Sequence, residues 1–197
     1  MKRLLPLIIL ALLAVPTSAQ LFKKKNKSVE VQYRKGAVPV VNGRVTFEEF
    51  IKADGLSADQ VDEKVTGWIK ERYVQPNVIA SHEYESEAEG TTILKAEEYI
   101  VFKQNAFVLS RARIYYYLTI EAQDGGCRFN ISRITYWYDD EAENGGMKNM
   151  KAEEWITDDM AFDKKEKLKK FEGKFRCKTI DLKNQLIEEL EKELNSK

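Results

Sequence analysis

The strongest pattern in the chain is a two-residue alternation between positions 111 and 122. Ile114, Tyr116, Leu118 and Ile120 take one parity, and Tyr115, Tyr117, Thr119 and Glu121 take the other. Strand side chains point alternately to opposite faces, so this run predicts a strand with one apolar face and one mixed face. Further strands are predicted over residues 78–85, 91–104 and 127–138, with residues 105–109 at the tip of a long hairpin. Asp124, Gly125 and Gly126 give a hairpin turn signal between the last two strands. The alternation changes phase near Ser132 and Arg133, which predicts a β-bulge. Connections this short leave no room for crossover helices, so the sheet should be an antiparallel meander.

Two segments follow a helical period instead. Val61, Val65, Trp68, Ile69 and Tyr73 form one apolar stripe, and Ser57 with Gln60 reads as a capping box at its start. Leu182, Leu186, Leu190 and Leu194 repeat every fourth residue, with Ile187 beside them. They predict a helix over residues 180–194, with Thr179 as its N-cap and Lys183, Glu188, Glu191 and Lys192 on its solvated side. Between sheet and helix, residues 139–178 read as a polar strap. Its apolar anchors are Trp155, Ile156, Met160, Phe162, Leu168, Phe171 and Phe175. Upstream, residues 45–51 suit a strand with Val45, Phe47 and Glu49 on one face. Residues 20–44 read as a basic leader with short strands at 29–33 and 38–41.

The N-terminus is patterned differently again. Lys2 and Arg3 precede an apolar run over residues 4–15, Pro16 breaks it, and Thr17, Ser18 and Ala19 supply small residues. This is the layout of a secretory signal peptide, with residues 1–19 removed and Gln20 left at the new N-terminus. The apolar run gives about 18 Å of helix against a hydrocarbon core of about 30 Å, too short to span. The lysines at 23, 24, 25 and 27 stand just beyond the cut and oppose translocation. Residues 45–197 then form a single domain, with no transmembrane span after cleavage. The expected location is the periplasm or cell envelope.

Charge narrows the partner classes. The chain holds 32 basic and 32 acidic residues, and losing Lys2 and Arg3 leaves 30 against 32. Binding phosphate backbones needs a cationic excess, so no nucleic-acid partner is expected. An even count of cysteines in an exported chain permits a Cys127–Cys177 disulfide, and two buried thiols fit equally well. His82 is the sole histidine, and Glu83 beside it would point to the opposite face of a strand, which argues against a metal site. The acidic run 139–146 fails the EF-hand spacing. No serine-hydrolase elbow, zincin, P-loop or dinucleotide motif is present, and no catalytic residue, cofactor or metal is assigned. The remaining candidate is the aromatic side of the sheet: Tyr115, Tyr117 and Trp137 as a surface for an envelope protein or ligand. The alternative is a hydrolase acting on envelope or extracellular polymers, with acids drawn from a strand bearing Glu83, Glu85, Glu87 and Glu89.

Three stretches carry a family resemblance: VTGWIKERY around Trp68, YYYLTIEAQDGGCRFNISRITY, and the tail from AEEWITDDMAF to the last helix. They resemble an uncharacterised family of exported Bacteroidetes proteins, domain-of-unknown-function family 4468, over roughly residues 45–195. The resemblance implies an α+β domain with a TBP-like fold. A curved antiparallel sheet would carry an N-terminal amphipathic helix and a C-terminal helix packed on one face. It brings no activity and no functional residues with it, and fold does not imply function.

If the N-terminal reading is right, cell fractionation will recover the protein from the periplasm or envelope with Gln20 first on N-terminal sequencing. Uncut protein in the cytosol would refute it.

Overall fold

The computed structural model describes residues 30–138 and 142–196. The signal peptide expected at residues 1–19, the lysines at 23–27 and the acidic positions 139–141 lie outside the described residues. In chain order the elements are β1 (Val40–Val41), β2 (Arg44–Val45), β3 (Phe47–Lys52), α1 (Ala58–Arg72), β4 (Val78–Tyr84), β5 (Thr91–Gln104) and β6 (Leu109–Gln123). There follow β7 (Gly126–Tyr138), β8 (Met147–Lys151), α2 (Asp158–Ala161) and α3 (Glu172–Leu194). Short 3-10 turns occur at Val31–Tyr33 and Ala152–Glu154.

The main sheet runs β3-β7-β6-β5-β4, antiparallel throughout, as the meander pattern predicted. β8 was not foreseen within the strap. It pairs with β7 at residues 135–138, while β3 pairs with residues 126–131 of the same strand. The two edge strands are separated by the bulge, where the β6–β7 register shifts between Tyr115 and Tyr117 and Arg133 takes a left-handed φ of 54°. Gly126 holds a different constraint: a Cβ there would collide with the Ile51 carbonyl, so only glycine lets β3 approach.

One face of the sheet is the core. Ile114, Tyr116, Leu118 and Ile120 are buried under α1 and α3 together with Leu94, Phe129 and Tyr136. α1 starts with the predicted capping box, in which the Gln60 amide donates to the Ser57 hydroxyl and the Ser57 amide to the Gln60 side chain. All five residues of its predicted stripe are buried. The β6–β7 turn braces the same helix start, because Asp124 Oδ1 accepts from the Ala58 amide at 2.9 Å. The four leucines of α3 are buried as expected. Each contributes roughly 1.5–3 kcal/mol before entropic costs.

α3 begins at Glu172, not at residue 180, and Thr179 is inside it rather than its cap. The Thr179 hydroxyl donates to the Phe175 carbonyl at 2.9 Å and stands 2.7 Å from the Tyr136 hydroxyl. What holds these early turns is tertiary. The fully buried Arg176 guanidinium donates to the carbonyls of Tyr33, Arg34 and Ile156 and pairs with Asp158 at 2.9 Å. Those bonds also correct the leader. Residues 30–44 are folded against the domain, with Val38 buried and the Tyr33 hydroxyl donating to Asp181. The stretch over residues 29–33 expected as a strand contains the first 3-10 turn at Val31–Tyr33.

Phe175 is the hub of an aromatic cluster. Its ring centroid lies 4.8 Å from Phe102, 5.1 Å from Tyr136 and 5.4 Å from Phe171, with Trp155 and Tyr138 beyond. Of the strap anchors, Ile156 and Phe162 are buried, Trp155, Leu168 and Phe171 half-buried, and Met160 exposed. Cys127 is buried on β7, Cys177 half-buried on α3, and both thiols are free. Among the described residues, no helix is long and apolar enough to cross a membrane.

Urea denaturation of Phe175→Ala should show a loss of about 3–5 kcal/mol, the range for a large buried aromatic. Met160→Ala should stay within about 0.5 kcal/mol. A Phe175→Ala cost below about 1 kcal/mol would mean the cluster is not core.

Candidate functional site

The parity that buries Tyr116 turns Tyr115 and Tyr117 to the other side, and among the described residues no helix covers that side. Trp137 joins them from β7, directly opposite Arg113 in the ladder, with Tyr99 opposite Arg113 from β5. The structure thus brings the three predicted residues onto one open face, each half-buried. It divides them between two groups.

The first group is built on Tyr99 and Trp137. The Arg111 guanidinium lies 3.7 Å above the Tyr99 ring centroid, and Arg113 lies 4.7 Å from that of Trp137. Lys148, from β8, brings its ammonium to 4.4 Å from the Trp137 ring. The Trp137 indole N–H donates to the Gly145 carbonyl at 2.7 Å, so the ring is fixed by its edge. Glu97 Oε1 accepts from both Arg113 Nη1, at 2.9 Å, and the Tyr115 hydroxyl, at 3.0 Å. Burial, and then this bond to a carboxylate, push the Tyr115 phenol from 10 to about 12. The second group is smaller. Tyr84 stacks on Tyr117 at 6.0 Å, His82 meets Tyr84 edge-on at 4.6 Å, and Arg133 at the bulge lies 5.3 Å from the Tyr117 ring. Arg133 also lines a cleft of about 530 Å³ with Arg44 and Lys151, where β3 and β8 part.

The expected aromatic platform is therefore a cationic one. Rings act as seats, and the groups carried over them are Arg111, Arg113, Arg133 and Lys148. The ring quadrupole holds a charge carried over its face in place, and the Arg113 guanidinium is also paired with Glu97. These cations were missed because a strand reading scores arginine and lysine as solvent-facing filler. The signal available was the parity Arg111-Arg113-Tyr115-Tyr117, which places them on the aromatic side.

The acid strand proposed for catalysis does not exist as drawn. β4 ends at Tyr84, so only Glu83 belongs to it, while Glu85, Glu87 and Glu89 stand on the exposed turn that follows. They cannot share a strand face. Among the described residues, no group of three His, Cys, Asp or Glu side chains is disposed to hold a metal ion.

The likeness to known proteins can now be placed on this geometry. The family profile described as a domain of unknown function, DUF4468, with TBP-like fold, matches residues 47–137, from β3 through β7. A crystal structure of a DUF4468 family protein from Bacteroides ovatus ATCC 8483 is 32% identical. It aligns with a TM-score of 0.76 over 87% of this chain and 98% of that one. The chain belongs to the DUF4468 family. A TBP-like protein from Parabacteroides distasonis ATCC 8503, 18% identical, aligns with a TM-score of 0.65 over 80% of this chain and 96% of its own. At that identity it shows the fold alone, which is α+β with a mostly antiparallel curved sheet, as the resemblance implied. No curated protein matches this DUF4468 chain.

The Tyr115 bond has a pH signature. With its folded value above the unfolded one, its contribution is intact below pH 10 and is lost as pH rises from 10 through about 12. Tyr115→Phe should lower stability by about 1 kcal/mol at neutral pH. Its unfolding free energy should also fall less between pH 10 and 12 than that of the parent. Equal slopes in that window would show that Tyr115 is not held by Glu97.

Proposed function

We propose that this DUF4468 protein is a non-enzymatic binding module of the cell envelope that holds an acidic protein partner against the open face of its sheet. The observation that carries the reading is the seating of Arg111, Arg113 and Lys148 over Tyr99 and Trp137 at 3.7–4.7 Å. A cation fixed over a ring loses less side-chain freedom on binding than a mobile surface lysine, which lowers the entropic cost of association. The half-buried rings offer apolar contact between those charges, the mixture expected where a partner must be both steered and held.

Placement outside the cytoplasm rests on the charge, apolar run and small residues at positions 1–19. The near balance of acidic and basic residues favours a protein partner over nucleic acid, because binding phosphate backbones needs a cationic excess. An envelope protein with an exposed run of aspartate and glutamate would be matched in charge.

The test uses the mature protein and immobilised poly-L-glutamate as probe. Binding should weaken as salt is added, because screening shortens the reach of surface charge. The double variant Arg111→Glu/Arg113→Glu should bind at least roughly tenfold more weakly, a change of about 1.4 kcal/mol, with an unchanged melting temperature. Undiminished binding by a folded double variant would rule out this face. Stronger retention by double-stranded DNA than by poly-L-glutamate would rule out the acidic-protein reading.

A further inference from the structure

On the far side of the sheet, the end of α1 and the last turns of α3 enclose a cleft of about 320 Å³. Behind it lies a buried charge. Glu98, on β5, has no exposed surface. Its Oε2 accepts from Arg72 Nη2 at 2.8 Å and from Asn77, and its Oε1 accepts from the Tyr116 hydroxyl at 2.6 Å. The Tyr73 hydroxyl stands 3.0 Å from that of Tyr116 and completes the chain. Every oxygen of Glu98 is satisfied, and the network needs nothing further on that side.

The side facing the cleft is different. Arg72 is 4% exposed and Trp68 6% exposed, and both line the cleft. Arg72 Nη1 and Trp68 Nε1 are buried donors that no protein acceptor meets. Glu189, on α3, reaches across with Oε2 at 3.0 Å from Arg72 Nε, yet neither atom has a partner in hydrogen-bond geometry. Four of the five buried unsatisfied side-chain atoms among the described residues belong to these three side chains. Such atoms are few in native proteins and costly, so their concentration at one cleft calls for a cause. The fifth, Asp158 Oδ1, lies at the other end of α3 in its ion pair with Arg176.

We propose that this cleft binds an uncharged, polyhydroxylated small molecule, a saccharide in chemical class, at Trp68, Arg72 and Glu189. The unsatisfied set contains both donors and an acceptor. A hydroxyl accepts from Trp68 Nε1 or Arg72 Nη1 and at the same time donates to Glu189 Oε2, so vicinal hydroxyls match the set without adding charge. Charge excludes the other simple solutions. The cleft is lined by two cations and three carboxylates, with Glu98 buried behind Arg72, so an anion meets net repulsion. Trp68 is the lone aromatic or aliphatic side chain in the lining, so a peptide would find no pocket for an apolar side chain. Entry is controlled by Glu189. Its Oε1 accepts from Gln185 at 2.7 Å, and its side chain is 36% exposed. Rotation of this carboxylate toward solvent opens its pair with Arg72 Nε, and its return lets it accept from the ligand. The site is on the helical side and is independent of the cationic face.

Isothermal titration calorimetry of the full mature protein with D-glucose, D-galactose and N-acetylglucosamine tests the proposal, with sodium acetate as the anionic control. At least one sugar should bind saturably in the millimolar range or tighter. Trp68→Phe, which keeps a smaller ring in the helix and removes the indole donor, should weaken that sugar at least tenfold while the protein still unfolds cooperatively. Glu189→Gln, which leaves the cleft lined, should weaken it severalfold. Arg111→Glu/Arg113→Glu should leave it unchanged, which separates failure here from failure of the cationic face. No saturable heat with any of the three sugars would overturn the proposal. So would acetate binding more tightly than every sugar, or sugar binding undiminished in a folded Trp68→Phe variant.

Discussion

One constraint organises this molecule: the long strands β5, β6 and β7 are covered on a single face. The alternation in β6 admits one arrangement, because shifting it by one residue would bury Arg113 and expose Ile114. Once Ile114, Tyr116, Leu118 and Ile120 are given to α1 and α3, the opposite parity must serve as surface. That surface carries Arg111, Arg113, Tyr115 and Tyr117, so the cationic face follows from the packing of the core. The half-burial of its aromatics then comes from cross-strand neighbours, not from a second layer.

The core itself is unusual in how much charge it contains. Arg72 with Glu98, and Arg176 with three carbonyls, are taken out of water at the two ends of the helical layer, while Asp158, the ion partner of Arg176, stays half-buried. Buried ion pairs gain little net stability over well-packed apolar residues, yet removing one partner typically costs about 3–5 kcal/mol. Their effect here is geometric. Arg176 joins the segment before β1, the strap and the start of α3 at one point. Arg72 and Glu98 fix the end of α1 to the middle of β5. In the first network every nitrogen of the Arg176 guanidinium has an acceptor in the chain. The second is satisfied only toward the sheet, and this difference marks the α1–α3 cleft.

The two faces offer different chemistry. On the open face, aromatic rings hold cations in defined places, which suits charge recognition of something large. In the cleft, donors and an acceptor lie close together in a net acidic lining, which suits a small neutral ligand with hydroxyls. Glu85, Glu87 and Glu89, expected on one strand face with Glu83, stand on the turn after Tyr84.

The sequence by itself determined the meander, the capped α1, the stripe of α3, the bulge near Arg133 and the face on which Tyr115, Tyr117 and Trp137 stand. Each is written in local periodicity or in a cap, signals that depend on residues a few positions apart. Tertiary structure alone decided the rest. α3 starts at Glu172 because Arg176 finds carbonyls about 140 and 20 residues away in sequence. β8 exists because the bulge ends the pairing of β3 and leaves residues 135–138 of β7 an open edge. The cations are seated over Tyr99 and Trp137 because strands from different hairpins bring them into register. The unsatisfied donors of Trp68 and Arg72 could not be read from the chain at all. Whether a buried polar atom finds a partner depends on every surface packed against it, and that is a property of the assembled fold.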